Sequence, residues 1–345
     1  SEQGCGRHNG ESRPQSQEGL GVGSAPPGGG HSPQERTIHG PAAIGTARRE
    51  GSRRKNPVGH RTFTLYMLPS VIVLFAVTLL PMIYLLATSF TPFDLTKPGS
   101  LRFVGLHNYA AALAAERFWN SVWVQARLSF WTVSAQLIIG LGLAWLLSRH
   151  IHFIELIRSL FIIPMVLPPV VVAIIWKILF TPDISILNWA LEKIGLPQPP
   201  WLADPTRALW ALIITDTWEW FPFVLLFLLA AIQMLPVEPA EAARIDGCSE
   251  WQLFRYVTLP CLKPAIMVAA LFRLIDSLKA FPHIFILTGG GPGKVTEATN
   301  FFAYLNAYSY GYIGFSSAIV VLMVIVVFAM SFLLIRLSLV RVEVE

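Results

Sequence analysis

Apolar residues in this chain gather into six long runs separated by shorter polar connections. The runs cover about residues 63–90, 121–147, 156–180, 209–235, 264–287 and 314–337. Each is long enough to cross a bilayer as a helix, which takes about 20 mostly apolar residues. Helices buried in a soluble protein are the competing reading. Six of them with so little charge would leave too little polar surface to face water. The predicted architecture is therefore an all-α membrane protein with six transmembrane helices. The third run contains Pro164, Pro168 and Pro169. Proline removes a backbone donor and kinks a helix, so this run reads either as a broken helix facing a translocation path or as an ordinary kinked span.

Composition agrees with the pattern. Of 345 residues, 54% are hydrophobic and 14% charged, against about 25% charged in soluble domains. Cys5, Cys248 and Cys261 form no disulfide framework and no spaced metal set. Residues 1–57 are rich in Gly, Ser, Pro, Gln and Arg and have almost no apolar periodicity. Such a stretch buries too little surface to offset its ordering entropy. The expectation is a disordered, partly artefactual N-terminal tail, with residues 58–345 as the membrane domain.

Basic residues set the expected orientation, because Lys and Arg concentrate on the cytoplasmic side of a span. One side carries Arg48, Arg49, Arg53, Arg54, Lys55 and Arg61, then Arg149, Arg158, Arg244, Arg255, Lys263, Arg336 and Arg341. The other carries Lys97, Arg102, Arg117, Lys193, Arg207 and Lys294. Both termini and the connection between spans four and five are thus expected in the cytoplasm. Without the leading cluster the two sides are nearly balanced.

That connection, residues 238–260, has its own local grammar. Pro239 suits the first turn of a helix, Glu241 to Asp246 continue it, and Gly247 suits a left-handed C-terminal cap. Ser249 followed by Gln252 has the form of a capping box for a second helix. Pro260 and Pro264 mark the entry to the next span. The expectation is two short helices around a hard turn at the membrane surface. Ala242 and Ala243 allow close approach, and Glu241 and Asp246 offer carboxylates to a basic partner. It reads as a docking knob, not a catalytic site.

The string Glu241-Ala242-Ala243, Gly247 and Val257-Thr258-Leu259-Pro260 matches the EAA signature of binding-protein-dependent ABC importer permeases, with Val257 where Ile is usual. The resemblance covers most of residues 61–341. It is closest to the carbohydrate group, similar to maltose, glycerol-phosphate and polyol permeases. The stretches that carry it are 103–109 (FVGLHNY), 158–169, 218–223 (WEWFPF), 288–293 (TGGGPG) and 312–318. After Phe281 the family often has Asp, whereas this chain has Pro282 and His283. The resemblance implies a type I importer permease with a cytoplasmic coupling helix, in the bacterial or archaeal cytoplasmic membrane. It implies that Glu241, Ala242, Ala243, Asp246 and Gly247 couple the chain to ATPase subunits. It implies a second permease, two ATPase subunits and an extracytoplasmic solute-binding protein as partners. ATP and Mg would be held by the ATPase subunits, with no cofactor on this chain.

Ionisable residues inside spans are expensive and usually face the bundle interior. Asp216 and Glu219 lie three apart in the fourth span, and Arg273, Asp276 and Lys279 follow the same spacing in the fifth. At about 1.5 Å rise per residue, Asp216 is roughly 12 Å from the outer end of its span and Asp276 roughly 18 Å from the cytoplasmic end of its own. Both sit near mid-depth. This polar layer either binds a polyhydroxylated solute, with Trp218 and Trp220 as platforms for sugar faces, or pairs internally, Arg273 or Lys279 against Asp216 or Glu219. Lys177 and Arg127 lie nearer span ends and read as snorkelling.

Other features exclude more than they suggest. The stretch Gly289–Thr296 resembles a phosphate loop, but Val295 follows Lys294 where Ser or Thr is required. It reads instead as a flexible external loop that touches a binding protein. The histidines show no metal spacing, and no catalytic constellation or nucleic-acid surface is evident. Polyol, glycerol phosphate, amino acid or polyamine import on the same architecture is the runner-up, and an ion-coupled secondary carrier is a second class.

Overall fold

The computed structural model describes residues 60–97, 102–149 and 154–342. The expected tail, residues 1–57, lies outside them. Among the described residues all regular structure is helical: α1 (His60–Ser89), α2 (His107–Ala114), α3 (Glu116–Leu147), α4 (Ile154–Val166), α5 (Pro169–Phe180), α6 (Ile186–Lys193), α7 (Pro205–Gln233), α8 (Glu238–Ile245), α9 (Glu250–Leu253), α10 (Leu259–Ser277), α11 (Thr299–Tyr304) and α12 (Ile313–Val342). Five stretches are long and apolar enough to cross a bilayer: Leu65–Ser89, Glu116–Leu147, Pro205–Gln233, Glu250–Ser277 and Ile313–Leu333. A sixth exists when α4 and α5 are taken as one span bent by 95°. The chain is a multi-pass membrane protein.

The bend has a local cause. A residue before proline is driven to extended backbone. Pro168, preceding Pro169, adopts φ −59° and ψ 136°, and Pro169 then opens α5 at its first turn. The helix expected to be either broken or merely kinked is broken, with a sharp bend between α4 and α5.

The predicted fifth span, 264–287, is corrected at both ends. The helical run begins at Glu250, passes through a π-helical turn at Phe254–Thr258, and ends at Ser277. Pro282 has no N–H to give the carbonyl four residues back, and its ring opposes continuation of the helix. Helical structure resumes as a π turn over Ile284–Thr288, closed by left-handed Gly289 at φ 57°.

At the centre, α3 packs along α7. Lipid tails are as apolar as Leu, so helices in a bilayer associate through close packing and polar contacts rather than through water exclusion. Gly140 supplies the close packing: a Cβ there would lie 2.6 Å from Val224 Cγ1 and 3.0 Å from the Leu225 amide. Helix α7 starts on a well-made cap, where the Asp204 carboxylate accepts from the amides of Thr206 (3.0 Å) and Arg207 (2.9 Å). Helix α1 runs beside α12 and leaves most of its apolar side chains exposed, as suits a lipid or partner-chain contact.

The 103–109 stretch fastens the end of α1. Asn108 donates to the carbonyls of Ser89 (2.8 Å) and Thr91 (2.7 Å), and the Tyr109 and Ser89 hydroxyls are 2.7 Å apart. The amide of Gly314, at the start of α12, donates to Phe93 O at 2.9 Å. Any Cβ at Gly314 would overlap the Thr91 carbonyl.

Candidate functional site

Two features carry the candidate residues. The first is the α8–α9 segment. Pro239 sits in the first turn of α8, where a missing N–H costs nothing. The helix closes with the paired bonds of a Schellman motif: Gly247 N–H to Arg244 O (3.1 Å) and Cys248 N–H to Ala243 O (3.0 Å). Gly247 has φ +82°. The Ser249 hydroxyl accepts from the Gln252 amide at 3.3 Å, and Gln252 accepts from the Ser249 amide at 2.8 Å, completing the capping box.

Glu241, Ala242, Asp246 and Gly247 are exposed and Ala243 is half-buried; no residue of α8 is buried. Ile245 is 87% exposed at the tip of the segment. The expectation of two separate short helices needs one correction. Helix α9 is a single turn that runs on through the π turn into α10, so the segment is one free helix joined to the root of a span.

The second feature is a buried polar cluster where α3, α7 and α10 meet. Arg273 is 2% exposed. Its Nε donates to Gln136 Oε1 (2.8 Å) and its Nη1 to Asp276 Oδ2 (2.9 Å), while Nη2 lies 3.5 Å from Asp216 Oδ2. Gln136 in turn donates to the Asp216 carbonyl (3.0 Å) and to Asp216 Oδ2 (2.9 Å). The Arg273 guanidinium lies 4.7 Å from the centre of the Trp220 ring. Fully buried Glu219 has its Oε2 at 2.7 Å from His283 Nε2, off the angle of a hydrogen bond, and His283 Nδ1 lies 3.8 Å from Asp216 Oδ1. A cavity of about 10 Å³ between Thr132, Asp216, Ser277 and His283 has room for no more than about one water.

The cluster brings together Asp216, Glu219, Trp220, Arg273 and Asp276. Among the described residues, internal pairing is as expected for Arg273 with Asp216. Glu219 pairs with His283 instead of a basic residue of α10. Lys279 is exposed and forms no ion pair among the described residues, because α10 ends at Ser277 and the three-residue spacing no longer keeps one face. Trp218 packs edge-on to Trp176 at 5.8 Å, and one face of Trp220 is covered by Arg273.

Gln136 and His283 were not among the sequence candidates. The signal for Gln136 was a polar stripe on α3: Ser121, Gln125, Ser129, Thr132 and Gln136, spaced at threes and fours and all buried. His283 drew notice only as a departure from the family pattern.

The loop expected to be free is tied down. The Thr296 hydroxyl donates to Gly291 O (2.7 Å), and buried Glu297 takes both Nε and Nη2 of Arg117 at 2.7 Å. Arg127 is half-buried against Trp123, and Lys177 is exposed in the last turn of α5.

Comparison with known proteins places this geometry. The family model described as binding-protein-dependent transport system inner membrane component matches residues 136–343. The trehalose/maltose transport system permease protein MalF of Thermococcus litoralis is 39% identical over 225 residues, covering 65% of this chain and 76% of that protein. The trehalose transport system permease protein SugA of Mycobacterium tuberculosis is 31% identical over 289 residues, covering 84% and 91%. A chain from the crystal structure of a bacterial ABC transporter involved in import of the acidic polysaccharide alginate superposes with a TM-score of 0.70 at 22% identity, covering 81% of this chain and 96% of that one.

Proposed function

The chain belongs to the binding-protein-dependent transport system inner membrane components, and from that premise we propose that it is the permease subunit through which an ATP-driven importer moves a sugar or sugar-like solute inward by alternating access. The observation that carries this reading is the α8–α9 segment. Its helix α8 is capped and has no buried residue, and the segment presents Glu241, Ala242, Asp246, Gly247 and a bare Ile245 beside the root of a span. A capped helix standing clear of the bundle is open on its outer face to another chain. In this reading the covering chains are ATPase subunits, docked at Glu241, Ala242, Ala243, Asp246 and Gly247, and they hold the ATP and Mg. The loop and both termini then lie in the cytoplasm. A second permease and an extracytoplasmic solute-binding protein complete the importer.

The names of the relatives favour a carbohydrate solute. Its path runs past Trp218, Trp220, Asp276 and Lys279, of which Asp276 and Lys279 are exposed. Asp216, Glu219 and Arg273, held in the cluster, shape the wall of that path.

Reconstitution of the four kinds of subunit in proteoliposomes tests the reading, with labelled trehalose and maltose as probes. Uptake is expected to require ATP on the ATPase side and to persist when proton and sodium gradients are collapsed. Uptake that follows a gradient and ignores ATP would make the chain an ion-coupled carrier instead.

A further inference from the structure

Resting on that coupling role, the geometry points to Trp145 and Arg149, at the end of α3, as the joint through which the α8–α9 segment drives the bundle. The α3 terminus reaches the segment through a cluster of tilted and edge-on aromatic rings. Trp145 lies 4.7 Å from Phe254 and 5.8 Å from Trp251, and these two lie 5.6 Å from each other. The Arg149 guanidinium covers the Trp145 ring at 4.4 Å and reaches Glu250 at 3.9 Å. Glu250 also faces Arg244 of α8 at 3.4 Å. Arg244 and Glu250 thus bridge both arms of the segment across Gly247, and Arg149 ties that bridge to α3.

The covalent route from the segment runs into α10 through the π turn at Phe254–Thr258. Such a turn is an irregularity in the helical ladder and absorbs displacement more readily than a straight helix. The ring contacts reach α3 directly, from Trp251 in α9 and from Phe254 at the first residue of that turn. From Trp145 it is nine residues, about 13 Å of rise, to Gln136, which holds Arg273 and Asp216. The same helix ends at Arg117, clamped to Glu297. Helix α3 therefore links the docking segment, the polar cluster and the loop at the opposite end of the bundle through named side-chain contacts. Trp145 and Arg149 are positioning residues in this chain of contacts.

The test uses the complete importer in proteoliposomes, with Cys5, Cys248 and Cys261 replaced by Ser and Lys294→Cys, exposed on the loop beyond the far end of α3, as reporter. The labelling rate of the reporter by a membrane-impermeant maleimide is compared with and without ATP plus vanadate, and ATP hydrolysis is measured in parallel. In the parent, ATP plus vanadate is expected to change the labelling rate several-fold. Loss of the ring cluster and its cation should weaken the coupling about tenfold. Trp145→Ala should therefore remove most of the ATP response while hydrolysis continues. Trp145→Phe should restore the response, and Arg149→Ala, at an exposed position, should lower it by an intermediate factor. A full ATP response in Trp145→Ala overturns the joint. If that variant does not assemble, a full response in Arg149→Ala overturns it equally. A parent whose labelling ignores ATP would sink the importer reading itself, and is distinguishable from failure of the joint because it appears before any joint residue is changed.

Discussion

Gln136→Leu is the perturbation whose size follows most directly from the structure. Gln136 is fully buried and sits where three helices meet. It makes two donor bonds to Asp216, at 3.0 and 2.9 Å, and accepts one from Arg273 Nε at 2.8 Å. Leu is one bond shorter but similar in volume and has no polar atoms, so packing is largely kept while all of these bonds are lost. Interhelical hydrogen bonds in membrane proteins average about 0.6 kcal/mol each, so the set is worth roughly 2 kcal/mol. Stranding the buried Arg273 Nε adds about 1–3 kcal/mol. The variant should lose about 3–5 kcal/mol in equilibrium unfolding by SDS in mixed micelles, followed by tryptophan fluorescence. Pairing it with Arg273→Met removes the stranded donor, so the double variant should lose less than the sum of the singles. A single variant within about 0.5 kcal/mol of the parent would refute the bridging role of Gln136.

His283→Ala should destabilise the chain by about 1–3 kcal/mol, because it empties a buried position packed against Glu219 and Asp216; the double variant with Glu219→Leu should lose less than the sum of the singles in the same unfolding assay. Gly140→Val should cost about 1–3 kcal/mol by overpacking against Val224 and the Leu225 backbone, seen as a lowered Tm. Asp94 is held below the usual carboxyl range chiefly by hydrogen bonds from the Thr96 hydroxyl (2.6 Å) and amide (2.8 Å). Its contribution to loop order is therefore complete above the ordinary carboxyl value and is lost only as pH falls through the lower folded value. Hydrogen exchange of residues 94–97 should stay protected through mild acid, and Asp94→Asn should remove that pH dependence.

The caps of the α8–α9 segment were legible because their rules are local. A proline in the first turn, a glycine after the last, and Ser249 three residues before Gln252 each specify backbone geometry from neighbours in sequence. That Asp216 and Asp276 lie level with one another followed from helical rise, and Arg273 reaches both. Lys279 was misplaced because spacing presumes an unbroken helix, and α10 stops at Ser277 ahead of Pro282. His283 could not be foreseen as the partner of Glu219, since that contact depends on how the chain re-enters the bundle after the break. Gln136 was overlooked because a neutral amide in an apolar run attracts less notice than a charge. In a bilayer, where apolar contacts discriminate little between helix partners, such an amide helps decide which helices meet. The 95° bend at Pro168 follows a strong local signal, but its angle is set by packing against α7 and the Ile284–Thr288 turn.

The coupling role of the α8–α9 segment is tested most directly at Gly247. No atom lies within 4 Å of where its Cβ would sit, so a side chain there projects freely from the surface. Its φ of +82° makes an L-residue cost about 1–2 kcal/mol, too little to unfold the bundle. The measurement is the ratio of solute imported to ATP hydrolysed by reconstituted importer carrying Gly247→Trp, beside Glu241→Trp and the parent. Both variants should fold and reach the membrane, yet import far less solute per ATP or fail to retain the ATPase subunit. A ratio equal to the parent's in both, with the ATPase bound, would contradict the assignment of this segment.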